Sequence, residues 1–177
     1  MRLKTLVLFT SLSAVGIVPA YAHMAVVPSE VPAGSSFTAG FAVGHGCEGS
    51  PTTVVKMSIP AGVLSVKPVA KPGWEIEIVT GDYATPQTLN DGPVTSGVTQ
   101  INWTGGSLPD AWYDEFSIHA SLSDDIAEGS VIPFPIVQEC ENGGVYRWIS
   151  VAGEGEEEAD EPAPQLHIGE AKGGHGH

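Results

Sequence analysis

Apolar and polar positions alternate with a period of two along most of the chain. Trp74-Glu75-Ile76-Glu77-Ile78-Val79 alternates cleanly, as a strand with one covered face does. Ser36 to Val43 and Thr52 to Ile59 alternate more loosely, and Val98 to Trp103, Phe116 to Leu122, Val131 to Gln138 and Tyr146 to Val151 are further strand candidates. Turn formers separate them: Pro60-Ala61-Gly62, Lys71-Pro72-Gly73, Gly105-Gly106, Leu108-Pro109-Asp110 and Glu141-Asn142-Gly143-Gly144. No segment holds an apolar period of 3.6 long enough for a substantial helix. Seven or eight short strands with frequent turns predict an all-β fold, an antiparallel sandwich of the immunoglobulin or fibronectin-III kind.

The two ends break the pattern. Residues 1–22 read as a secretory signal peptide, with basic Arg2 and Lys4, an apolar stretch from Leu6 to Val18, and Ala20-Tyr21-Ala22 as a small-x-small cleavage site. No apolar run of about 18 residues follows, so no transmembrane anchor is expected. The sandwich is expected over 23–153. Residues 154–161 (Glu154-Gly155-Glu156-Glu157-Glu158-Ala159-Asp160-Glu161) form an acidic connector. Residues 162–177 supply a final extended segment, Pro162 to Ile168, and a glycine-rich tail carrying His175 and His177, which is either a weak copper or zinc binder or an unstructured end with two histidines.

Charge narrows the partners. Without Arg2 and Lys4, five basic residues stand against 21 acidic ones, a net charge of −16. Such a chain lacks the cations to displace counterions from phosphates, so nucleic acid is excluded as a partner, while an acidic field attracts metal cations. Export places Cys47 and Cys140 in an oxidising compartment, periplasmic or extracellular. There one disulfide closing a long loop is the simplest use of the pair, and a two-thiolate copper(I) site is the alternative.

Cleavage after Ala22 makes His23 the new N-terminus, carrying a free α-amine and an imidazole that together chelate a metal in one ring. Copper(II) favours nitrogen and oxygen donors in tetragonal geometry. With ordinary pKa values of about 7.7–8.0 for the amine and about 6.5 for the imidazole, few protons need be displaced at neutral pH. A second cluster lies in Val43-Gly44-His45-Gly46-Cys47-Glu48-Gly49, where a histidine and a carboxylate share a glycine-rich turn. A Cys47–Cys140 bridge brings that turn towards Glu139-Cys140-Glu141 and Tyr146-Arg147-Trp148. The plain alternatives are a turn histidine for His45, a solvated acid for Glu48 and a core aromatic for Trp148.

In order along the chain come Ala22-His23-Met24, the Val43–Gly49 turn followed by Thr52-Thr53, Lys71-Pro72-Gly73-Trp74 and Ile101-Asn102-Trp103-Thr104-Gly105-Gly106. Leu108-Pro109-Asp110, Tyr113-Asp114-Glu115-Phe116, Phe134-Pro135-Ile136-Val137-Gln138-Glu139-Cys140, Arg147-Trp148-Ile149 and Pro162-Ala163-Pro164 follow. This series resembles the YcnI-type copper-binding domain of bacterial exported proteins over nearly all of Ala22 to Ile168. The resemblance implies a sandwich that binds copper(II) through a single-histidine brace. Its histidine is His23, its nearby tryptophan Trp148 and its carboxylate Glu48. Because the turn also carries His45, that residue stands as a replacement or supplement for the carboxylate.

The function expected is that of an exported copper carrier or chaperone, not an enzyme, handing copper(II) to another exported copper-handling protein. Two alternatives come from other classes. A histidine-brace copper oxidoreductase needs a second histidine, for which His45 or His119 is available, although the alternation of Phe116 to Ser121 makes His119 a strand residue. A metal-free immunoglobulin-like adhesion or assembly domain leaves the processed histidine unexplained. Hydrolase motifs are missing: there is no Gly-x-Ser-x-Gly elbow and no His-Glu-x-x-His helix. Asp114-Glu115 and Asp124-Asp125 are paired acids in surface-like contexts, where solvation is the usual explanation.

Overall fold

The computed structural model describes residues 23–151 and 161–171. The expected signal peptide, most of the acidic connector and the histidine tail lie outside the described residues. Twelve strands are found within them: β1 (Ala25–Val27), β2 (Glu30–Pro32), β3 (Ser36–Val43), β4 (Thr52–Ser58), β5 (Val63–Pro68) and β6 (Glu75–Leu89), then β7 (Gly92–Thr104), β8 (Asp114–Leu122), β9 (Val131–Pro133), β10 (Ile136–Cys140), β11 (Val145–Trp148) and β12 (Gln165–Gly169).

Two antiparallel sheets make the sandwich, ordered β1-β3-β8-β5 and β11-β10-β4-β7-β6. Alternation decides which side chains face inward. Along β8, Phe116, Ile118, Ala120 and Leu122 are buried while His119 is exposed. The opposing face supplies Val55 and Met57 from β4, Ile101 and Trp103 from β7, and Ile136 from β10, all fully buried. Aromatic rings join the two sheets. Trp103 of β7 meets Phe116 of β8 edge-on at 5.5 Å, and Phe41 of β3 meets Phe134, just before β10, at 4.7 Å. Each such side chain contributes about 1.5–3 kcal/mol of burial.

A third sheet, β2-β12-β9, closes one flank. Here β12 runs antiparallel to β9 and parallel to β2, pairing His167 with Glu30 and Ile168 with Val31. The extended segment expected after Pro162 is therefore a paired strand, with Leu166 and Ile168 buried.

Several elements differ from their sequence expectation. The strand at Trp74–Val79 continues to Leu89 and forms a long hairpin with β7. Asn90 and Asp91 make its two-residue turn, both at positive φ (52° and 60°), a backbone that Asn and Asp tolerate and that matches the twist of the strands. The extension carries Gly, Pro and polar residues and is largely exposed, so it holds by backbone pairing and has no apolar pattern to read. The stretch Val131 to Gln138 is two strands in different sheets, because Pro133 and Pro135 interrupt the ladder at Phe134. The last expected strand stops at Trp148, and Ile149 and Val151 beyond it are exposed.

Candidate functional site

β1 pairs with β3 in the register Ala25↔Ala42, Val26↔Phe41 and Val27↔Gly40. Carried two residues further, that register sets His23 level with Gly44, next to His45. Met24, 5% exposed, anchors this end of β1 in the core. On the neighbouring sheet, β10 pairs with β11 so that Gln138 faces Tyr146 and Ile136 faces Trp148. Tyr146 and Trp148 share one face of β11, and Gln138 lies diagonal to Trp148, within reach across the strands.

These elements meet at one end of the sandwich. The His23 ring stands edge-on to the Trp148 indole with centroids 6.5 Å apart, and the His45 ring does so at 6.1 Å. Tyr146 adds a third side, 5.6 Å from His45 and 5.4 Å from Trp148. Trp148 is buried, whereas both histidines are partly exposed, so two imidazoles edge a buried indole and remain accessible from outside.

The turn that carries His45 is fixed from several directions. Cys47 and Cys140 are joined in a disulfide with Cα atoms 5.9 Å apart, closing the turn onto the end of β10. Cys47 and Ser50 exchange backbone hydrogen bonds of 3.0 Å in both directions around Glu48 and Gly49, both at positive φ (51° and 84°). A Cβ at Gly46 would collide with the Ser50 carbonyl oxygen, and one at Gly144 would lie 2.8 Å from Cys47 Cβ, so glycine is needed at both close approaches. The Gly46 amide donates to Asp110 Oδ1 at 2.9 Å, and Asn142 Nδ2 donates to the Cys47 carbonyl at 3.3 Å.

His45 Nδ1 lies 2.7 Å from the Gly46 carbonyl oxygen. A carbonyl only accepts, so Nδ1–H donates, which in the neutral tautomer puts the ring lone pair on Nε2, the arrangement that orients metal-binding histidines. Gln138, 1% exposed, ties the site together. Its Nε2 donates to the His45 carbonyl at 2.8 Å and to Thr52 Oγ1 at 2.7 Å, and its Oε1 accepts from Trp148 Nε1–H at 3.0 Å.

Of the residues singled out from the sequence, His23, His45 and Trp148 come together. Glu48 sits exposed in the turn, and among the described residues no three or more His, Cys, Asp or Glu side chains form a group able to hold one metal ion. His23, His45 and Glu48 are thus not gathered into a three-ligand set. His119 is an exposed residue of β8, with its Nδ1 3.1 Å from Thr38 Oγ1. The paired acids have structural work: Lys71 bridges to Asp114 at 2.6 Å, while Asp125 Oδ2 accepts from the Thr88 amide at 3.0 Å. Sequence reasoning missed Gln138 as a site residue. Its signal is a polar side chain at the inward register of Ile136-Val137-Gln138-Glu139-Cys140, flanked by two buried neighbours.

Among the described residues no helix is long and apolar enough to cross a membrane, and the disulfide points to an oxidising compartment. Comparison with solved structures finds an uncharacterised protein from Nocardia farcinica whose crystal structure reveals an immunoglobulin-like fold. It is 22% identical, with a TM-score of 0.62, over 83% of this chain and 98% of that one. A second match, the sixth cohesin of scaffoldin B from Acetivibrio cellulolyticus in complex with a Cel5 dockerin mutant, is 8% identical with a TM-score of 0.42, over 82% of this chain and 97% of that one. No curated protein matches the chain. A family model described as a domain of unknown function, DUF1775, matches residues 23–168. That domain is the YcnI domain, consistent with the resemblance carried by the motifs. The chain belongs to the DUF1775 family and has an all-β, immunoglobulin-like architecture.

Proposed function

We propose that this is an exported copper(II)-binding protein that carries copper to another exported copper-handling protein. The observation that carries the reading is the convergence of the His23 and His45 imidazoles on the buried Trp148 indole. The donor chemistry fits copper(II). Two imidazoles are present, and cleavage after Ala22 adds the His23 α-amine, giving a nitrogen-rich set suited to this ion. Glu48, three residues beyond His45 and exposed on the same turn, is the carboxylate that the family resemblance assigns as the oxygen donor. Partial exposure of both histidines leaves a path for the metal to leave, which delivery to a partner requires.

Copper affinity measured by competition with a chelator tests this. In protein starting at His23, His23→Ala is expected to abolish specific copper(II) binding while the fold persists, because its side chain lies outside the buried core. Glu48→Gln is expected to weaken binding less. Unchanged affinity in His23→Ala contradicts the assignment. The placement of a second histidine at Trp148 also favours one other reading, a two-histidine copper oxidoreductase. Turnover of a reductant with oxygen by the copper-loaded protein, abolished by His45→Ala, would favour that reading over a carrier.

A further inference from the structure

Burying an amide in a sandwich core is costly unless both its donors and its acceptor are matched. Gln138 meets that condition in full, at a register where Ile136 and Cys140 on either side are buried. Indole burial alone does not demand such an arrangement in this core. Trp103 is fully buried, and its Nε1 has no hydrogen-bond partner among the described residues. The Gln138 amide instead joins two separate pieces of chain, the turn carrying His45 and the strand carrying Trp148, through one planar group.

We propose that Gln138 is the positioning residue of the candidate copper site. Its Nε2 holds the His45 backbone and its Oε1 holds the Trp148 indole, so that the two rings stand in a fixed relation before any metal arrives. The inference rests on the copper reading above. The disulfide and the Asp110 bond fix the turn beyond His45, at Gly46 and Cys47, whereas the Gln138 bond acts on the carbonyl of His45 itself. Together with the Nδ1–H bond to the Gly46 carbonyl, it leaves the ring little freedom to turn away from the indole. A ligand ordered in advance loses less freedom on binding, and groups that orient metal ligands typically matter by about 10–100-fold in affinity.

Three variants test it in protein recovered from the exported fraction of cells expressing the full chain. Gln138→Met keeps the length and removes all three hydrogen bonds. Gln138→Glu keeps an acceptor for Trp148 and removes both donors. Thr52→Val removes a buried partner of the same amide and leaves the bridge from His45 to Trp148. Copper(II) dissociation constants are measured against a competing chelator, and the Trp148 indole N–H resonance is followed in metal-free protein labelled with nitrogen-15. Gln138→Met is expected to weaken copper(II) by about 10–100-fold and to move the indole resonance. Gln138→Glu is expected to weaken copper(II) comparably while the indole resonance stays close to its original position, and Thr52→Val to leave affinity unchanged. If Gln138→Met does not fold, the Gln138→Glu comparison decides.

Unchanged affinity in the Gln138 variants, in a protein that loses copper on His23→Ala, overturns the positioning role and leaves the copper reading in place. An equal loss in Thr52→Val also overturns it, because the effect is then general loosening of the core. Weak, His23-independent copper binding in the unmutated protein removes the copper reading and this inference with it.

Discussion

At the scale of single residues, the site is set by hydrogen bonds with one permissible direction. The Gly46 carbonyl accepts from His45 Nδ1–H, and the Gln138 amide oxygen accepts from Trp148 Nε1–H. Trp148→Phe removes the indole N–H that donates to the buried Gln138 Oε1. It is expected to cost about 1–3 kcal/mol in urea denaturation. A stability equal to that of the unmutated protein would show that the bond contributes nothing. His23, His45 and Trp148 were legible in the sequence because their chemistry is rare and their chain neighbours (an expected cleavage site, a glycine-rich turn, a cysteine) mark them. Gln138 was not, since an amide in a strand looks like a surface residue until the register of β10 shows that it points inward. Glu48 was legible as a turn acid, but its direction depends on positive φ at Glu48 and Gly49, which sequence alone does not specify.

At the scale of elements, alternation located the core strands because burial on one face enforces it, as in β8 and β4. It failed where backbone pairing alone holds the chain. The outer half of the β6–β7 hairpin has little apolar surface and depends on the Asn90-Asp91 turn and on acceptors from Asp124 and Asp125. β12 was visible only as an extended segment, because a five-residue strand gives no clue to whether its partner runs parallel or antiparallel. Tyr83, on the hairpin, packs its hydroxyl against Gly97, so closely that a Cβ at Gly97 would collide with it. Burial raises its phenol above the ordinary value of 10.0. The folded protein therefore holds this proton more tightly than the unfolded chain does. The resulting stability is fully present below about pH 10 and is lost as pH rises through the folded value. Urea midpoints are expected to fall as pH rises above about 10, and to fall less in Tyr83→Phe. An identical fall in both proteins would remove Tyr83 as a cause.

At the scale of the whole molecule, one covalent link joins the turn after β3 to the end of β10 across a sequence separation of 93. A loop of that length restricts the unfolded chain by about 4–5 kcal/mol in the chain-entropy account, so replacing both cysteines with serine is expected to cost on that order. A loss below about 1 kcal/mol would show that the sheets alone hold the turn. The disulfide also binds the site to the fold, because the same bridge that closes the long loop holds the His45 turn beside β10 and β11. A DUF1775 sandwich thereby presents two imidazoles at one end of an acidic molecule, and the proposed copper site adds the His23 amine that cleavage after Ala22 would expose. The most direct test of that central claim is electron paramagnetic resonance of residues 23–177 loaded with one equivalent of copper(II), compared with a form carrying one additional residue before His23. A tetragonal signal with nitrogen coupling that is lost in the extended form is the predicted result. An identical signal in both forms would contradict it, placing the metal away from the His23 amine.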